Sequence, residues 1–199
     1  MNIRRILDLR WVLPQMMNKL DMRLRRIVYG RNFQSHGRIL FCGKGRVKIG
    51  DDVTINSCLK SNPIGGASKT VFYSKEKGEI IVGNHVGISN SAIVALEKVE
   101  IGDDVFIGGN CKIYDHDFHS LDYSIRMLPG NQGVTAKPVS IGKGAFIGGH
   151  TIILKGVEVG AYAVIGAGSV VTRSVPKGEV WAGNPAVMIR KAESDSLDF

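Results

Sequence analysis

Residues 141–176 read "IGKGAF IGGHTI ILKGVE VGAYAV IGAGSV VTRSVP", with one aliphatic residue at the start of each group of six. Those aliphatic residues are Ile141, Ile147, Ile153, Val159, Ile165 and Val171. Neither the 3.6-residue period of a helix nor the two-residue alternation of a strand produces this spacing. A fixed short repeat indicates a solenoid, in which each unit forms one short strand and one turn. Three such units close one triangular coil, and stability grows as the coils stack.

The same period occurs earlier in the chain. It is seen at Ile101, Ile107 and Ile113, at Val82, Ile88 and Val94, and at Ile49 and Ile55, with a slip of one residue before Ile101. We expect the aliphatic residues to point inward, and the glycine that follows four of the six to permit the turn conformations. A glycine-rich antiparallel sandwich is the alternative, but six consecutive hexads in register disfavour it. The sequence therefore predicts an all-β protein built as a parallel β-helix, with a handedness that spacing alone does not set.

Length and composition fit one domain with a substantial core in a chain of 199 residues. No stretch approaches the roughly 20 apolar residues of a membrane span, and charges interrupt the N-terminal sequence, unlike a signal peptide. The three cysteines, Cys42, Cys58 and Cys111, form no ligand-spaced pair. An odd, sparse set of cysteines indicates a reducing compartment, so we expect a cytoplasmic protein.

The formal charge of +8 is concentrated near the N-terminus, because residues 1–30 carry seven basic and two acidic side chains. A nucleic-acid-binding protein would spread its basic residues over the folded surface, so we expect no nucleic-acid partner. Residues 2–28 are predicted to be helical, with a break or kink at Pro14. Apolar residues opposite basic ones suggest peripheral contact of residues 1–28 with a membrane. Packing on the first coil or on a neighbouring subunit is an equally open alternative.

The C-terminal stretch "GAGSVVTRSVPKGEVWAGNPAVMIRK", residues 166–191, together with the hexads, resembles the left-handed β-helix acyltransferases of the hexapeptide-repeat superfamily. The resemblance is to the maltose, galactoside and polysaccharide O-acetyltransferase branch and covers residues 80–191. It implies a left-handed parallel β-helix, a homotrimer, acetyl-CoA as donor, and active sites between neighbouring subunits. The chain then divides into a helical segment at 1–30, an acyltransferase domain at 31–191, and an acidic tail at 192–199.

The hexads stop over residues 114–138, "YDHDFHSLDYSIRMLPGNQGVTAKP". An excursion this long from a regular solenoid is usually functional. In the family that the chain resembles, the loop at this place carries the catalytic histidine, commonly within "IY-x-x-x-H-P-[LI]-D". Here "IYDHDFHSLD" places His119 directly before "SLD", with one extra residue ahead of it and Ser120 in place of the proline.

Histidine suits the chemistry, because its ordinary side-chain pKa of about 6.5 leaves it neutral and basic at pH 7, ready to accept the proton of an attacking hydroxyl. The resemblance implies His119 as general base, and His116 is the alternative. Asp115 or Asp117 would orient the imidazole and support the charge that it acquires. The alternative is that the same residues form a solvated polar turn with no role in catalysis.

The resemblance also implies residues that bind the two substrates. Those matched to the CoA site are Gly149, Ala167, Thr172, Arg173 and Arg190. The small residues would line a narrow channel for the pantetheine arm, and the guanidinium groups would pair with phosphates. Asn90 and Phe146 are matched to the acceptor site, although Asn90 could serve only a turn and Phe146 only the core.

Two other functions remain open at the level of sequence. The β-helical carbonic anhydrases share the fold and bind zinc through histidines, which here could be His85, His116, His119 and His150. No "H-x-x-x-x-H" arrangement like theirs occurs, and no metal is expected. A non-catalytic scaffold is the second alternative. The sequence favours an acetyl-CoA-dependent O-acetyltransferase acting on a sugar or glycan precursor, whether a free sugar, a lipid-linked acceptor or a polymer, with N-acetylation also open.

Overall fold

The computed structural model describes residues 9–192, which form one helix followed by a three-sided parallel β-helix. The helix α1 spans Leu9–Leu24, and a second short helix, α2, spans Tyr123–Arg126. Sheet A contains β1 (Val28–Tyr29), β4 (Arg46–Ile49), β7 (Glu79–Val82), β10 (Lys98–Ile101), β13 (Val139–Ile141) and β16 (Glu158–Val159). Sheet B contains β2 (Gln34–Gly37), β5 (Thr54–Ser57), β8 (Gly87–Ser89), β11 (Phe106–Ile107), β14 (Phe146–Ile147), β17 (Val164–Ile165), β19 (Glu179–Gly183) and β20 (Ala186–Lys191). Sheet C contains β3 (Leu40–Cys42), β6 (Val71–Ser74), β9 (Ala92–Ala95), β12 (Lys112–Tyr114), β15 (Ile152–Ile153) and β18 (Val170–Val171).

The hexads predicted from the sequence are confirmed except at Val94. Ile93 pairs with Ile113 and lies in the core, whereas Val94 pairs with Tyr114 and lies outside the core cluster. Consecutive aliphatic residues fall on sheets A, B and C in turn, so that Ile141 pairs with Val159 one full coil later. The six aliphatic residues of 141–176 are each at most 2 % exposed, and they stack with their counterparts in one continuous core. The strands are parallel throughout except for β20, which turns back antiparallel on β19 and closes the last coil.

The glycines that follow the aliphatic residues have a different role from the predicted one. Gly142 and Gly148 do not adopt a positive φ; instead, a Cβ on Gly148 would lie 2.5 Å from the backbone nitrogen of Ala167 in the next coil. The left-handed backbone conformation occurs two residues later, at positions that include His150 (φ 62°) and Tyr162 (φ 58°). Glycine is therefore needed here for the close approach of two coils rather than for the turn conformation.

The three outer faces of the β-helix differ in character. Sheet A is charged, with Lys48 and Arg46 near Glu79 and with Lys98 paired to Glu100. Sheet B presents an apolar column that includes the exposed rings of Phe106 and Phe146. Sheet C presents small and apolar side chains, among them Leu40, Val71, Ala92, Ile152 and Val170, with the charged Lys112 between Ala92 and Ile152. A charged face suits water, whereas two apolar faces side by side suit contact with other protein surfaces.

The N-terminal boundary differs slightly from the expected one. The helix α1 continues through Pro14 without a break, and sheet A already begins at Val28, three residues before the predicted start of the domain. The helix is held by tertiary contacts with β2, which compensate for the hydrogen bond that Pro14 cannot donate.

Residues 1–8, which include the start of the predicted helix, and nearly all of the tail lie outside the described residues. Within 9–192, no helix has the length and apolar character needed to span a membrane.

Candidate active site

The break in the hexads is a loop of residues 115–138 between β12 and β13, and it begins and ends as a short antiparallel stem. The amide of Lys137 donates to the carbonyl of Asp115 (2.8 Å), and the amide of Asp117 donates to the carbonyl of Thr135 (3.0 Å). In an antiparallel pair, successive side chains point to opposite sides. The four side chains of "DHDFH" do not gather into one cluster: Asp115 contacts His116, whereas Asp117 and His119 have partners elsewhere.

Asp115 anchors the stem to the preceding coil. Its carboxylate is fully buried and accepts hydrogen bonds from three consecutive backbone amides, those of Leu96 (2.9 Å), Glu97 (2.7 Å) and Lys98 (2.7 Å). These amides lie where the chain turns the corner into β10. The carboxylate therefore satisfies donors that would otherwise have no partner at the corner.

His116 lies beneath the surface beside this anchor. Its Nδ1 donates to Asp115 Oδ1 at 2.8 Å, which leaves Nε2 as the basic nitrogen. Nε2 is buried and has no hydrogen-bond partner among the described residues. The ring of Phe118 packs on the imidazole with centroids 4.7 Å apart. An acceptor hydroxyl cannot approach Nε2 unless this packing opens.

His119 is exposed and is held by Asn131. The Asn131 amide donates from Nδ2 to the carbonyl of Phe118 (2.8 Å), which fixes Oδ1 as the atom that faces the imidazole. The Nδ1 of His119 must then be the donor in its 2.8 Å contact with Asn131 Oδ1. Nε2 is left as a lone-pair nitrogen on an exposed side chain, which is the state required of a general base.

Asp117 orients neither histidine. Its carboxylate forms an ion pair with Lys155 and accepts from the Thr135 hydroxyl at 2.8 Å, so it ties the loop to the coil that follows. The hydrogen bond from Lys155, with a smaller contribution from Thr135, holds the pKa of the Asp117 carboxyl below its ordinary value. Asp115 therefore orients His116, as expected for the alternative base, whereas neither aspartate contacts His119, whose partner is Asn131.

The anchoring by Asp117 should depend on pH. A carboxyl whose folded-state pKa is lowered contributes stability above its unfolded pKa and loses it as the pH falls through the lowered value. We expect Asp117→Asn to lower the free energy of unfolding at pH 7 by up to about 1 kcal/mol, or roughly 2–4 °C in Tm. The Tm difference between wild type and variant should begin to shrink as the pH falls below about 4 and should vanish below the lowered pKa of the folded-state carboxyl. A difference that stays constant from pH 7 to pH 3 would contradict the ion pair.

A cavity of about 650 Å³ adjoins the loop. Asn131 lines it, as do Tyr73, Lys75 and Glu76 from the neighbouring coils. An aromatic ring with charged and amide groups at a site of this size can stack on and hydrogen-bond to a polyhydroxylated ligand. Because Asn131 both lines the cavity and holds His119, the cavity and the exposed imidazole belong to one region of the surface.

The residues matched to the pantetheine channel lie together. Gly149 and Ala167 occupy the same corner of adjacent coils, between sheets B and C, and the carbonyl of Gly149 accepts from the amide of Gly168 (2.9 Å). Ala167 is exposed and Gly149 is half-buried. Ile64 lies beside Gly149, so the backbone of this corner is open to a narrow ligand mainly on the side of the exposed Ala167.

The residues matched to the nucleotide end of CoA lie at the C-terminal end of the β-helix. The Arg173 guanidinium stacks over the Trp181 ring at 5.1 Å, which holds an exposed cation in place. Thr172 is exposed immediately after β18, and Arg190 is exposed on β20. Thr172 and Arg173 lie at the corner between sheets C and A, and Arg190 lies on sheet B, so these three residues are on different sides of the β-helix from the corner of Gly149 and Ala167.

The two residues matched to the acceptor lie apart from the loop. Asn90 is fully buried in a turn with φ 44°, and its Nδ2 donates to the carbonyl of Ser68 at 2.6 Å. This corrects the expectation of an acceptor contact, because the segment around Gly65 covers Asn90. Phe146 is 49 % exposed on sheet B, and nothing described in residues 9–192 connects it with the 115–138 loop. Within one chain, the loop and the sheet B face remain separate.

The remaining histidines are accounted for by local structure. His150 is in a turn, where Nδ1 contacts Asn110 (3.0 Å) and Nε2 contacts the carbonyl of Ile64 (3.2 Å). His85 lies between two exposed aspartates, Asp52 and Asp104. No three His, Cys, Asp or Glu side chains of residues 9–192 come together as a set of metal ligands.

Asn131 was not singled out from the sequence. It lies in "PGNQG", a turn-forming stretch, and it adopts a positive φ of 52°, as asparagine does more readily than most residues. That composition predicts a turn, but only the fold brings this turn beside His119, twelve residues earlier.

Comparisons with known proteins agree with this fold. The model of the bacterial transferase hexapeptide (six repeats) matches residues 138–173, and that of the hexapeptide repeat of succinyl-transferase matches residues 98–113. The Saccharomyces cerevisiae protein YJL218W, which carries an acetyltransferase name, is 43% identical over 129 residues, covering 63% of each chain. The chain spans about three fifths of the length of the curated relatives that it matches.

Two solved structures extend the comparison over most of the chain. The hexapeptide-repeat-containing acetyltransferase VCA0836 of Vibrio cholerae is 26% identical, with a TM-score of 0.61 over 94% of this chain and 88% of that one. A maltose O-acetyltransferase of Clostridium difficile 630 is 25% identical, with a TM-score of 0.58 over 93% and 87%. VCA0836 has also been crystallised with acetyl-CoA. The predicted resemblance and the left-handed parallel β-helix are both confirmed.

Proposed function

We propose that this hexapeptide-repeat protein transfers an acetyl group from acetyl-CoA to a hydroxyl of a sugar or glycan precursor. The observation that carries the proposal is the exposed His119, whose Nδ1–H is bonded to Asn131 and whose Nε2 is open. Similarity to a maltose O-acetyltransferase and to an acetyltransferase crystallised with acetyl-CoA supports the choice of donor and acceptor class.

The proposed reaction is a direct transfer. The Nε2 of His119 accepts the proton of the acceptor hydroxyl as its oxygen attacks the thioester carbon, and the tetrahedral intermediate collapses with loss of the CoA thiolate. The imidazolium then returns its proton to that thiolate. Asn131 keeps the imidazole in the tautomer that has its lone pair on Nε2, much as a third residue orients the base of a catalytic triad.

The donor would lie along the corner formed by Gly149 and Ala167. The open backbone there suits the pantetheine arm, and Arg173 and Arg190 offer guanidinium groups to the phosphates. The acceptor would occupy the 650 Å³ cavity, where Tyr73 supplies a ring for stacking. We place the reaction in the cytoplasm, in keeping with three unpaired cysteines.

A screen of acceptors tests this function. Free sugars, lipid-linked oligosaccharides and polysaccharides are incubated with acetyl-CoA, and each product is examined by mass spectrometry for the addition of one acetyl group. Amino sugars in the same panel separate N-acetylation from O-acetylation, since only the ester product is released by mild base. The non-catalytic scaffold is favoured if no compound of any class is acetylated by folded protein.

A homotrimer is part of the proposal. Sheet A is charged, whereas sheets B and C are apolar on their outer faces, so each chain has two faces suited to contact with two neighbours. Trimerisation would also bring the 115–138 loop of one chain to the sheet B face of another. Light scattering at micromolar concentration should give three times the chain mass of 21.6 kDa.

A variant of the apolar face tests the assembly. Phe106→Glu places a charge on sheet B and should shift the protein toward monomers, while Glu100→Gln on the charged face should leave the mass unchanged. A wild-type protein that is monomeric at micromolar concentration would refute the trimer.

A further inference from the structure

Helix α1 packs on the first coil through a polar side, the reverse of an ordinary surface helix. Asn18 is fully buried, and its Nδ2 donates to Ser35 Oγ (3.0 Å) and to the carbonyl of Gly37 (2.9 Å). Its Oδ1 accepts from the amide of Ile39 (3.1 Å). These hydrogen bonds fix the helix to the first coil alongside a single fully buried apolar side chain.

The neighbouring inward positions continue this pattern. Asp21 forms an ion pair with Arg38 at 2.6 Å, and Met22 is the fully buried apolar side chain of the helix. These positions follow Asn18 at spacings of three and four residues, so they share its side of the helix.

The opposite side of α1 is apolar and exposed. It consists of Leu13 (54 % exposed), Met16 (63 %), Met17 (43 %), Leu20 (56 %) and Leu24 (73 %). These residues recur at spacings of three and four and form one stripe, which we call the α1 face. Scattered apolar residues on a surface need no explanation, but a continuous stripe that turns away from the protein indicates a partner.

Basic side chains border the α1 face. Lys19, Arg23 and Arg26 are exposed, and no carboxylate within residues 9–192 pairs with them. Together with Leu20 and Tyr29 they line a recess of about 560 Å³. A recess that combines unpaired cations with apolar walls suits a phosphate headgroup and the start of its acyl chains.

We propose that the α1 face docks on the surface of an anionic lipid bilayer. The apolar stripe enters the boundary between headgroups and acyl chains, while Lys19, Arg23 and Arg26 contact lipid phosphates. A second copy related by a two-fold axis fits this face less well, because it would bring together the Lys19, Arg23 and Arg26 of both copies, for which the described residues provide no carboxylate partner.

This docking would place the cavity beside the loop near the membrane. The Arg25 guanidinium, just after α1, donates to the carbonyl of Gly43 (3.2 Å), and Gly43 and Lys44 line the 650 Å³ cavity. An acceptor carried on a lipid could enter the cavity from the bilayer. That consequence rests on the proposed function, whereas the docking itself does not.

Vesicle co-sedimentation of the full chain tests the docking. Wild-type protein should pellet with phosphatidylcholine vesicles that contain phosphatidylglycerol, and much less at high salt or with phosphatidylcholine alone. Leu20→Ser should weaken binding by about tenfold, and Arg23→Gln by roughly fivefold. The matched controls are Leu59→Ser, on a leucine that is 53 % exposed elsewhere, and Lys60→Gln; both should bind as the wild type does.

The other outcomes overturn the proposal. Wild-type protein that does not pellet with the anionic vesicles has no bilayer-binding face. Equal pelleting of Leu20→Ser and wild type would show that the α1 face is not the contact. If Leu20→Ser lowers the sedimentation coefficient of the protein without vesicles, the face contacts another copy of the chain instead. Acetyl transfer to a water-soluble acceptor, measured alongside, separates failure of the docking from failure of the proposed function.

Discussion

Replacing His119 by alanine should lower kcat by about 10²–10⁴-fold and leave the affinity for acetyl-CoA almost unchanged. The reason is that, in the proposed reaction, the open Nε2 accepts the proton of the acceptor, whereas CoA would be held by the corner of Gly149 and Ala167. Initial rates at saturating donor, together with calorimetric titration of CoA, measure the two effects separately. Because His119 is exposed, the folded state should be as stable in the variant as in the wild type.

His116→Ala is the matched control for His119→Ala, because both substitutions remove a histidine from the same loop. His116 is buried beneath Phe118, so its loss should destabilise the stem by about 2–3 kcal/mol while turnover per folded molecule remains. Folded His116→Ala without turnover, beside an active His119→Ala, would make His116 the base. If both variants turn over normally in an active enzyme, the loop carries no general base.

Asn131→Ala gives a graded test of the same arrangement. Loss of the Oδ1 acceptor frees the imidazole to rotate and to change tautomer, so we expect a fall in kcat of about tenfold and little change in KM for acetyl-CoA. Asn131→Asp, which keeps the acceptor, should recover part of the rate and shift the pH profile upward, since a carboxylate favours the imidazolium.

The second large effect should come from Asp115→Ala, which we expect to lower the free energy of unfolding by roughly 3–5 kcal/mol. The substitution leaves the amides of Leu96, Glu97 and Lys98 without their common acceptor, and each donor without a partner costs about 1–3 kcal/mol. Because these three residues are partly or largely exposed, water replaces part of the lost acceptor and the total lies toward the lower end. That is a large share of the 5–15 kcal/mol typical of a folded domain.

Urea unfolding followed by circular dichroism measures this loss. Asp115→Asn retains one carbonyl oxygen and should be intermediate between alanine and the wild type. A loss below about 0.5 kcal/mol for Asp115→Ala would mean that the amides find other partners, and that the carboxylate does not anchor the loop.

The sequence was sufficient for the regular part of the fold. A six-residue period is a strong signal, because one inserted residue would turn every later side chain to the wrong face. The irregularity before Ile101 was misread, because the inward residue of that coil is Ile93 rather than Val94. The six-residue period also located the candidate loop, because that loop lies where the period stops. The role of the glycines was misjudged, because the distance from Gly148 to Ala167 depends on how closely two coils stack.

The candidate site was only partly readable. The pattern "DHDFH" supplied the right residue types, but the antiparallel stem decides which side chains meet, and it directs Asp115 to His116 and Asp117 to Lys155. The contact between His119 and Asn131 spans a turn that no local pattern encodes. Likewise, the sequence does not reveal that the segment around Gly65 covers Asn90 and keeps it from contacting an acceptor.

The most direct test of the account measures release of the free CoA thiol with time, with and without a sugar acceptor identified in the screen. The account predicts that wild-type protein releases CoA only when the acceptor is present, that one acetylated product forms per CoA released, and that His119→Ala lacks this acceptor-dependent release. CoA release at the same rate with and without acceptor, or acceptor-dependent release that persists undiminished in His119→Ala, would contradict it.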